Sequence, residues 1–334
     1  MKILVTGASG FLGCAVIKQL ADRGYKIRAL IHRKNQPELF GKLNIETVKG
    51  DVTRPESIDQ AISGCGIVFH LASVYAFYPW WQKYPASLYK INVEGTKNLC
   101  EAALKQKVER FIYTSSIAAI GKEKSGGLAD ENTVFDQGFP WSHYARSKFL
   151  AEQEVKKACA AGLPGIILNP SILAGAGDHK PTPSGEIILK FLKKNYPFYF
   201  DCVLSLADVD DVALAHVAAI TKGRVRERYI LCNRKHYSLK EIFALLEKIS
   251  GLTAPRLKIP YGALLVFSYV DEVFSAFFRK KPLIPVESLK TAHLGVTYDN
   301  SKATAELGFS ATPLEETLNK SVSWYKENRY VKIP

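Results

Sequence analysis

Residues 2–14, Lys-Ile-Leu-Val-Thr-Gly-Ala-Ser-Gly-Phe-Leu-Gly-Cys, constrain this chain more than any other stretch. A short apolar run at 3–5 reads as one buried strand. It runs into a turn with glycines at 7, 10 and 13 and leaves as a helix. Strand, glycine turn and helix together make a phosphate cradle. Gly7 permits the tight turn, Gly10 lets backbone approach a diphosphate, and Gly13 lets the helix lie close on the strand. The helix N-terminus adds unpaired N–H groups and partial positive charge. Gly7, Ser9, Gly10, Phe11 and Leu12 are therefore the candidate diphosphate contacts.

Strand-like and helix-like segments alternate through the first half. Strands are expected at 27–31, 45–48, 67–70, 111–114 and 165–169, with helices near 54–62, 89–105 and 143–160. That alternation predicts an α/β fold, a Rossmann-type doubly wound parallel sheet whose ligands sit at the carboxyl ends of the strands. It breaks after Asn169-Pro170. A Gly/Pro-rich stretch follows, then helices expected at 186–194 and 206–220, a strand at 228–231, and mostly helical sequence to the end. The expected division is a dinucleotide-binding domain of residues 1–170 plus 208–232. A smaller, mostly helical C-terminal substrate lobe would take 171–207 plus 233–334.

Composition excludes several classes. The formal charge of +13 is spread along the chain without a basic block or nucleic-acid module, so no nucleic acid is expected as partner. The six cysteines show no C-x-x-C pair and no metal spacing, so no metal site is expected and a reducing cytoplasm is the simplest location. The glycine turn occupies the place where a secretory signal would stand.

The end of the second strand reads Ile31-His32-Arg33-Lys34, with no carboxylate until Glu38. A basic residue there suits a 2′-phosphate, so NADP(H) is favoured over NAD(H) and Arg33 is its candidate contact. After the third strand, Asp51 and Val52 stand where an adenine amino group could be held. Asp51 can equally form a local turn.

Tyr144-Ala-Arg-Ser-Lys148 puts a phenol and an ammonium one helical turn apart. A nearby cation favours phenolate and draws its pKa toward working pH, where it can exchange a proton with a carbonyl or hydroxyl oxygen. Strand five ends in Thr114-Ser115-Ser116, hydroxyls at the edge where such an oxygen would be held.

Glycine turn, strand-end serine and Tyr/Lys helix, in this chain order, make the sequence similar to the extended short-chain dehydrogenase/reductase superfamily, nearly end to end. The resemblance selects Ser116, five residues before Gly121, as the serine that hydrogen-bonds the reacting oxygen. It implies Tyr144 as general acid/base, and Lys148 as the ribose-binding residue that lowers the tyrosine pKa. It also places Leu71 and Ala72 of His70-Leu-Ala72 beside the diphosphate, and Asn92 as a helix asparagine of the site. Asn169, Pro170 and Ser171 fall beside the nicotinamide, and a homodimer through the helices at 89–105 and 143–160 is implied.

Within that superfamily the chain resembles dihydroflavonol 4-reductase-like proteins and, among them, hopanoid-associated sugar epimerases. Asn92-Val-Glu-Gly-Thr-Lys-Asn-Leu, Tyr113-Thr-Ser-Ser, Lys180-Pro-Thr-Pro-Ser-Gly185 and Val209-Asp-Asp-Val212 carry the likeness. Ser116 is followed by Ile117-Ala-Ala-Ile120, without the acidic pair that dehydratases use, so reduction, alcohol oxidation and epimerisation remain.

The loop Ser73-Val-Tyr-Ala-Phe-Tyr-Pro-Trp-Trp81 crowds five aromatics beside the expected site. Tyr75, Tyr78 and Trp81, with Asn169, are the candidate substrate contacts, and an aromatic wall suits a hydrophobic small molecule. Residues 264–278, followed by Arg279-Lys-Lys281, read either as a core helix of the small lobe or as a peripheral contact with an anionic bilayer.

Overall fold

The computed structural model describes residues 1–32, 40–41, 43–79, 82, 85–124 and 126–331. Six strands come first: β1 (Lys2–Thr6), β2 (Lys26–Ile31), β3 (Glu46–Lys49), β4 (Ile67–His70), β5 (Arg110–Thr114) and β6 (Gly165–Pro170). Four short ones follow, β7 (Ile172–Ala174), β8 (Phe198–Tyr199), β9 (Val203–Leu204) and β10 (Leu206–Asp208). Then come β11 (Arg228–Leu231), β12 (Tyr237–Ser238) and β13 (Leu257–Lys258). The central sheet has the order β11-β6-β5-β4-β1-β2-β3 and every pairing in it is parallel. The order reverses at β1, where the next strand out is β2 on one side and β4 on the other. A ligand crevice forms at such a switch point.

The helices are α1 (Phe11–Ala21), α2 (Pro55–Ile62), α3 (Ala86–Tyr89), α4 (Gly95–Lys105), α5 (His143–Ala160) and α6 (Pro183–Leu192). After them come α7 (Val209–Ala218), α8 (Leu239–Ser250), α9 (Tyr261–Phe277), α10 (Val286–His293), α11 (Ser301–Leu307) and α12 (Leu314–Glu327). Because β1 is covered on both faces, Ile3, Leu4 and Val5 are fully buried, as the apolar run requires. One face packs on α1 and α7 through Val16, Ile17, Leu20, Val212 and Ala213. The other packs on α2, α4 and α5 through Ile58, Ile62, Leu99, Ala151 and Val155. A separate core joins α6, α8 and α12 through Leu189, Phe243, Leu246 and Leu318.

Local signals explain several boundaries. In α8, Ser238 Oγ accepts from Glu241 N at 3.2 Å and Ser238 N donates to Glu241 Oε2 at 2.8 Å, a reciprocal cap. Gly251, at φ +73°, then ends the helix in a left-handed turn.

Two expected helices differ from the structure. Residues 206–208 form β10, paired with β7, and the helix begins only at Val209, capped by Asp208, whose Oδ1 accepts from Asp210 N at 2.9 Å. Strand pairing and an aspartate that prefers to cap override the helical pattern. The segment expected as one helix over 89–105 starts earlier, at Ala86, and widens into a π-turn over Lys90–Glu94 before α4. Such turns are frequent at functional sites.

Candidate active site

The crevice is built from β1 outward. Gly7 sits at φ +67°, and a Cβ there would meet Ala72 N and the Leu71 carbonyl carbon at 2.6 Å. A Cβ on Gly13 would stand 2.1 Å from Gly7 O. Both glycines are thus fixed by space. Gly10 caps α1 without a side-chain hydrogen bond, no acid stands in its first turn, and the first intrahelical bond is donated by Cys14 N to Gly10 O at 2.9 Å. The N–H groups of Phe11, Leu12 and Gly13 therefore have no acceptor within the helix, which suits a diphosphate. Ser9 lies in the same turn.

Behind the turn runs a buried chain of hydrogen bonds. Leu71 N donates to Thr6 O at 3.2 Å, and Ala72 N to Thr6 Oγ1 at 3.2 Å. Thr6 Oγ1 stands 2.8 Å from His70 Nδ1, His70 Nε2 stands 2.9 Å from Thr96 Oγ1, and Thr96 Oγ1 donates to Asn92 O at 2.6 Å. That direction makes Nε2 the protonated ring nitrogen and Nδ1 an acceptor from Thr6. Burial, and secondarily the Lys148 charge, holds the His70 pKa down at about 3, so the imidazole is neutral.

Asn92 closes the chain on the π-turn. Its Oδ1 accepts from Val74 N at 2.8 Å and Ser73 Oγ at 3.1 Å. Its Nδ2 donates to Val74 O and to Ser147 Oγ, each at 3.0 Å. All its capacity goes to pinning the aromatic loop onto α5, so it acts here as a clamp.

The Tyr/Lys helix α5 begins at Ser142, whose Oγ accepts from Ala145 N at 3.1 Å. Ser116 interacts through its side chain with the Tyr144 phenol. Ser116 Oγ also accepts from Ala118 N at 3.1 Å, capping a 3₁₀ turn over Ile117–Ala119. Lys148, 2% exposed, donates to Thr114 O at 2.9 Å, with its ammonium 5.2 Å from the Tyr113 ring centre. Lys148 and Ser116 are thus both held at the end of β5, the first by the Thr114 carbonyl and the second just beyond the strand.

The titration of Tyr144 and Lys148 differs from expectation. Burial pushes the Tyr144 pKa up to about 12, against the Ser116 hydrogen bond that lowers it. The nearby ammonium was expected to lower this pKa, but Lys148 is itself desolvated. Burial drops its own pKa to about 7, while Glu152 pulls it up.

Glu152 extends the α5 series Tyr144, Lys148, Glu152 at four-residue spacing, a signal from which it could have been read. It is fully buried. Asn169 Nδ2 donates to its Oε1 at 2.6 Å and to Ser116 O at 2.9 Å, while Arg228 Nη1 stands 3.3 Å from its Oε2. The Asn169 amide nitrogen is therefore committed to protein rather than to substrate. Its Oδ1, with Ser115 Oγ and Ser171 Oγ, is buried without a partner among the described residues. Pro170 ends β6 opposite Leu231, and Ser171 N donates to Leu231 O at 2.9 Å. Three orphaned acceptors or hydroxyls at the ends of β5 and β6 fit the polar edge of a carboxamide ring, as the glycine cradle fits a diphosphate.

Around the reacting group, the Tyr75 ring lies 4.4 Å from that of Tyr144, centre to centre, tilted by 65°. Phe77 contacts Tyr75 edge-on at 5.2 Å. Tyr78 faces His143 at 6.4 Å. Glu287, from α10, accepts from Tyr78 N at 2.9 Å and from His143 N, tying the small lobe to loop and helix. No local motif announces Glu287. Asp51 Oδ1 accepts from Thr53 N and Thr53 Oγ1, both at 2.9 Å, and Oδ2 stands 3.6 Å from His32 Nε2. Burial raises its pKa, but the Thr53 bonds prevail and hold it low. Val52 is buried and its carbonyl accepts from Asn98 Nδ2 at 3.2 Å. Arg33, Lys34 and Trp81 lie outside the described residues. Among the described residues no group of His, Cys, Asp and Glu could hold a metal ion. No described helix is long and apolar enough to cross a membrane.

The chain is similar to known proteins along nearly its whole length. Residues 3–232 match the NAD dependent epimerase/dehydratase family. A putative dihydroflavonol 4-reductase of Synechocystis is 38% identical over 98% of this chain and 95% of its own length. Sterol demethylase protein B of Methylococcus capsulatus is 30% identical over 98% of this chain and 99% of its own. The crystal structure of gox2253 superposes with a TM-score of 0.84 at 35% identity, covering 99% of both chains.

Proposed function

Because the chain belongs to the NAD dependent epimerase/dehydratase family, we propose that it is a dihydroflavonol 4-reductase-like oxidoreductase. It would interconvert a ketone and a secondary alcohol in a hydrophobic small molecule, with NADP(H) favoured over NAD(H). What supports this reading is that Lys148 is held by the Thr114 carbonyl at the end of β5, that Ser116 follows that strand, and that the Tyr144 ring packs against Tyr75. The fitted groups would be held by Gly7, Ser9, Gly10, Phe11 and Leu12 at the diphosphate, and by Asn169, Pro170 and Ser171 at the nicotinamide. The cofactor, when bound, supplies or accepts the hydride.

Each residue then has a proton or a position to manage. A phenol held protonated near pKa 12 is a donor at neutral pH, suited to giving its proton to a carbonyl oxygen as negative charge develops there. Ser116 would hold that same oxygen, adding a hydrogen bond in surroundings where one is strong. Lys148, whose pKa burial lowers to about 7 while Glu152 raises it, would stabilise the phenolate left behind through its charge when it is already protonated. The aromatic loop excludes water and prefers a ring-bearing or lipid-like substrate. The homodimer through α4 and α5 belongs to this same reading.

The test uses Tyr144→Phe with NADPH and a series of aromatic and aliphatic ketones. Turnover is expected to fall by about a hundred- to ten-thousandfold, with NADPH affinity, followed by nucleotide fluorescence, near that of the wild type. Turnover that survives the substitution removes Tyr144 from the chemistry. A tightly held cofactor with no net NADPH consumption would point instead to epimerisation.

A further inference from the structure

Helix α9 is built inside out. Its buried positions are Leu264, Ser268, Glu272 and Ser275, one stripe at helical spacing and polar in three of four places. Its exposed positions are apolar: Val266, Phe267, Val270, Val273, Phe274 and Phe277, the last 81% exposed, continued by Phe278 and Leu283. A helix packed on a water-soluble core shows the opposite arrangement.

The glutamate of the stripe, and the aspartate beside it, have a structural cause. Glu272 Oε1 accepts from Val286 N at 2.8 Å, and Asp271 Oδ2 accepts from Leu283 N and Ile284 N, so both carboxylates are spent on the chain entering α10. They are the only acids in residues 261–281. Immediately after the apolar face come Arg279, Lys280 and Lys281, all exposed. An apolar face followed directly by three exposed cations, on a chain of net charge +13, is complementary to one kind of surface.

We propose that α9 and Arg279–Lys281 form a docking surface for an anionic lipid bilayer, with the helix lying in the headgroup plane. The aromatic rings and valines enter the acyl boundary, and the three cations meet lipid phosphates. At 17 residues the helix lies on the membrane rather than through it. Two signals act together, apolar burial and charge, and each can be removed separately.

Flotation of the full chain with vesicles decides it. Vesicles with roughly a third of the lipid as phosphatidylglycerol, the rest phosphatidylcholine, are expected to carry the protein, and pure phosphatidylcholine to carry far less. Raising the salt weakens binding. Replacing Arg279, Lys280 and Lys281 together by Gln lowers the partition coefficient by on the order of a hundredfold. The double variant Phe274→Glu and Phe277→Glu abolishes flotation, while its thermal unfolding stays near that of the wild type. The proposal is overturned if the wild type does not float, or if both variants float as it does. It is equally overturned if the phenylalanine variant splits a dimer into monomers in a chain that never bound vesicles, since a second copy would then cover the face.

Discussion

Helices α1 and α9 are both rich in apolar residues, yet they turn them in opposite directions. In α1, Phe11, Leu12, Val16, Ile17 and Leu20 face the sheet; in α9 the buried stripe carries two serines and a glutamate. The difference lies in the neighbours. Beside α1 is a sheet whose backbone groups pair within their own ladder, so only apolar surface is wanted. Beside α9 is a turn whose N–H groups at Leu283, Ile284 and Val286 are taken by the helix's carboxylates, since buried donors require acceptors. What a helix buries is decided by the hydrogen-bonding needs of the element it meets as much as by its own composition.

Three experiments break or sharpen that contrast. The largest effect is expected at the tightest contact of α1. Gly13→Val puts side-chain atoms into space where even a Cβ lies 2.1 Å from backbone, and should cost about 3 kcal/mol or more in denaturant unfolding, with loss of NADPH binding. Tolerance of valine there would show that α1 can lift off β1. A smaller loss is expected from Glu272→Leu, which makes α9 conventional in pattern but strands Val286 N. A destabilisation of about 1–3 kcal/mol follows from the unmet donor, and a more stable variant would show that the inverted stripe is not needed for folding.

The smallest effect concerns α7, packed against α1. His216 Nδ1 stands 2.8 Å from Val212 O, its Nε2 stands 2.8 Å from Thr114 Oγ1, and burial lowers its pKa to about 4. A folded pKa below the unfolded value near 6.5 means stability is complete above pH 6.5 and is lost as pH falls toward 4. Between pH 6.5 and 5.5 this histidine should remove about 1 kcal/mol. His216→Gln should therefore show a shallower stability loss over that unit by the same amount. Equal slopes would mean that the imidazole is already protonated in the fold.

Much of the central sheet was legible because it is local. Alternating apolar runs and the three glycines announce β1, α1 and the crevice, and Tyr144 and Lys148 announce themselves by helical spacing. The acceptor for Lys148, Thr114 O, and the clamp made by Asn92 were not legible, since both depend on which backbone atoms a strand edge leaves open. The inversion of α9 was hidden for a similar reason: its cause lies in the chain entering α10. Titration was hidden too, because spacing tells that a lysine is near a phenol but not that both are desolvated.

The bridge from Arg228 through Glu152 and Asn169 to the Ser116 carbonyl also has a bearing on synthesis. Ser116, Glu152 and Asn169 are all made by residue 169, but the guanidinium facing the buried carboxylate comes about sixty residues later, on a strand at the edge of the sheet. A nascent chain still short of β11 lacks that guanidinium, leaving the buried carboxylate to the weaker attraction of Lys148 and Lys156 on its own helix, an arrangement that favours a loosened site until the ribosome has delivered position 228. The bridge that holds the Ser116 carbonyl is then completed late, together with the closing strand.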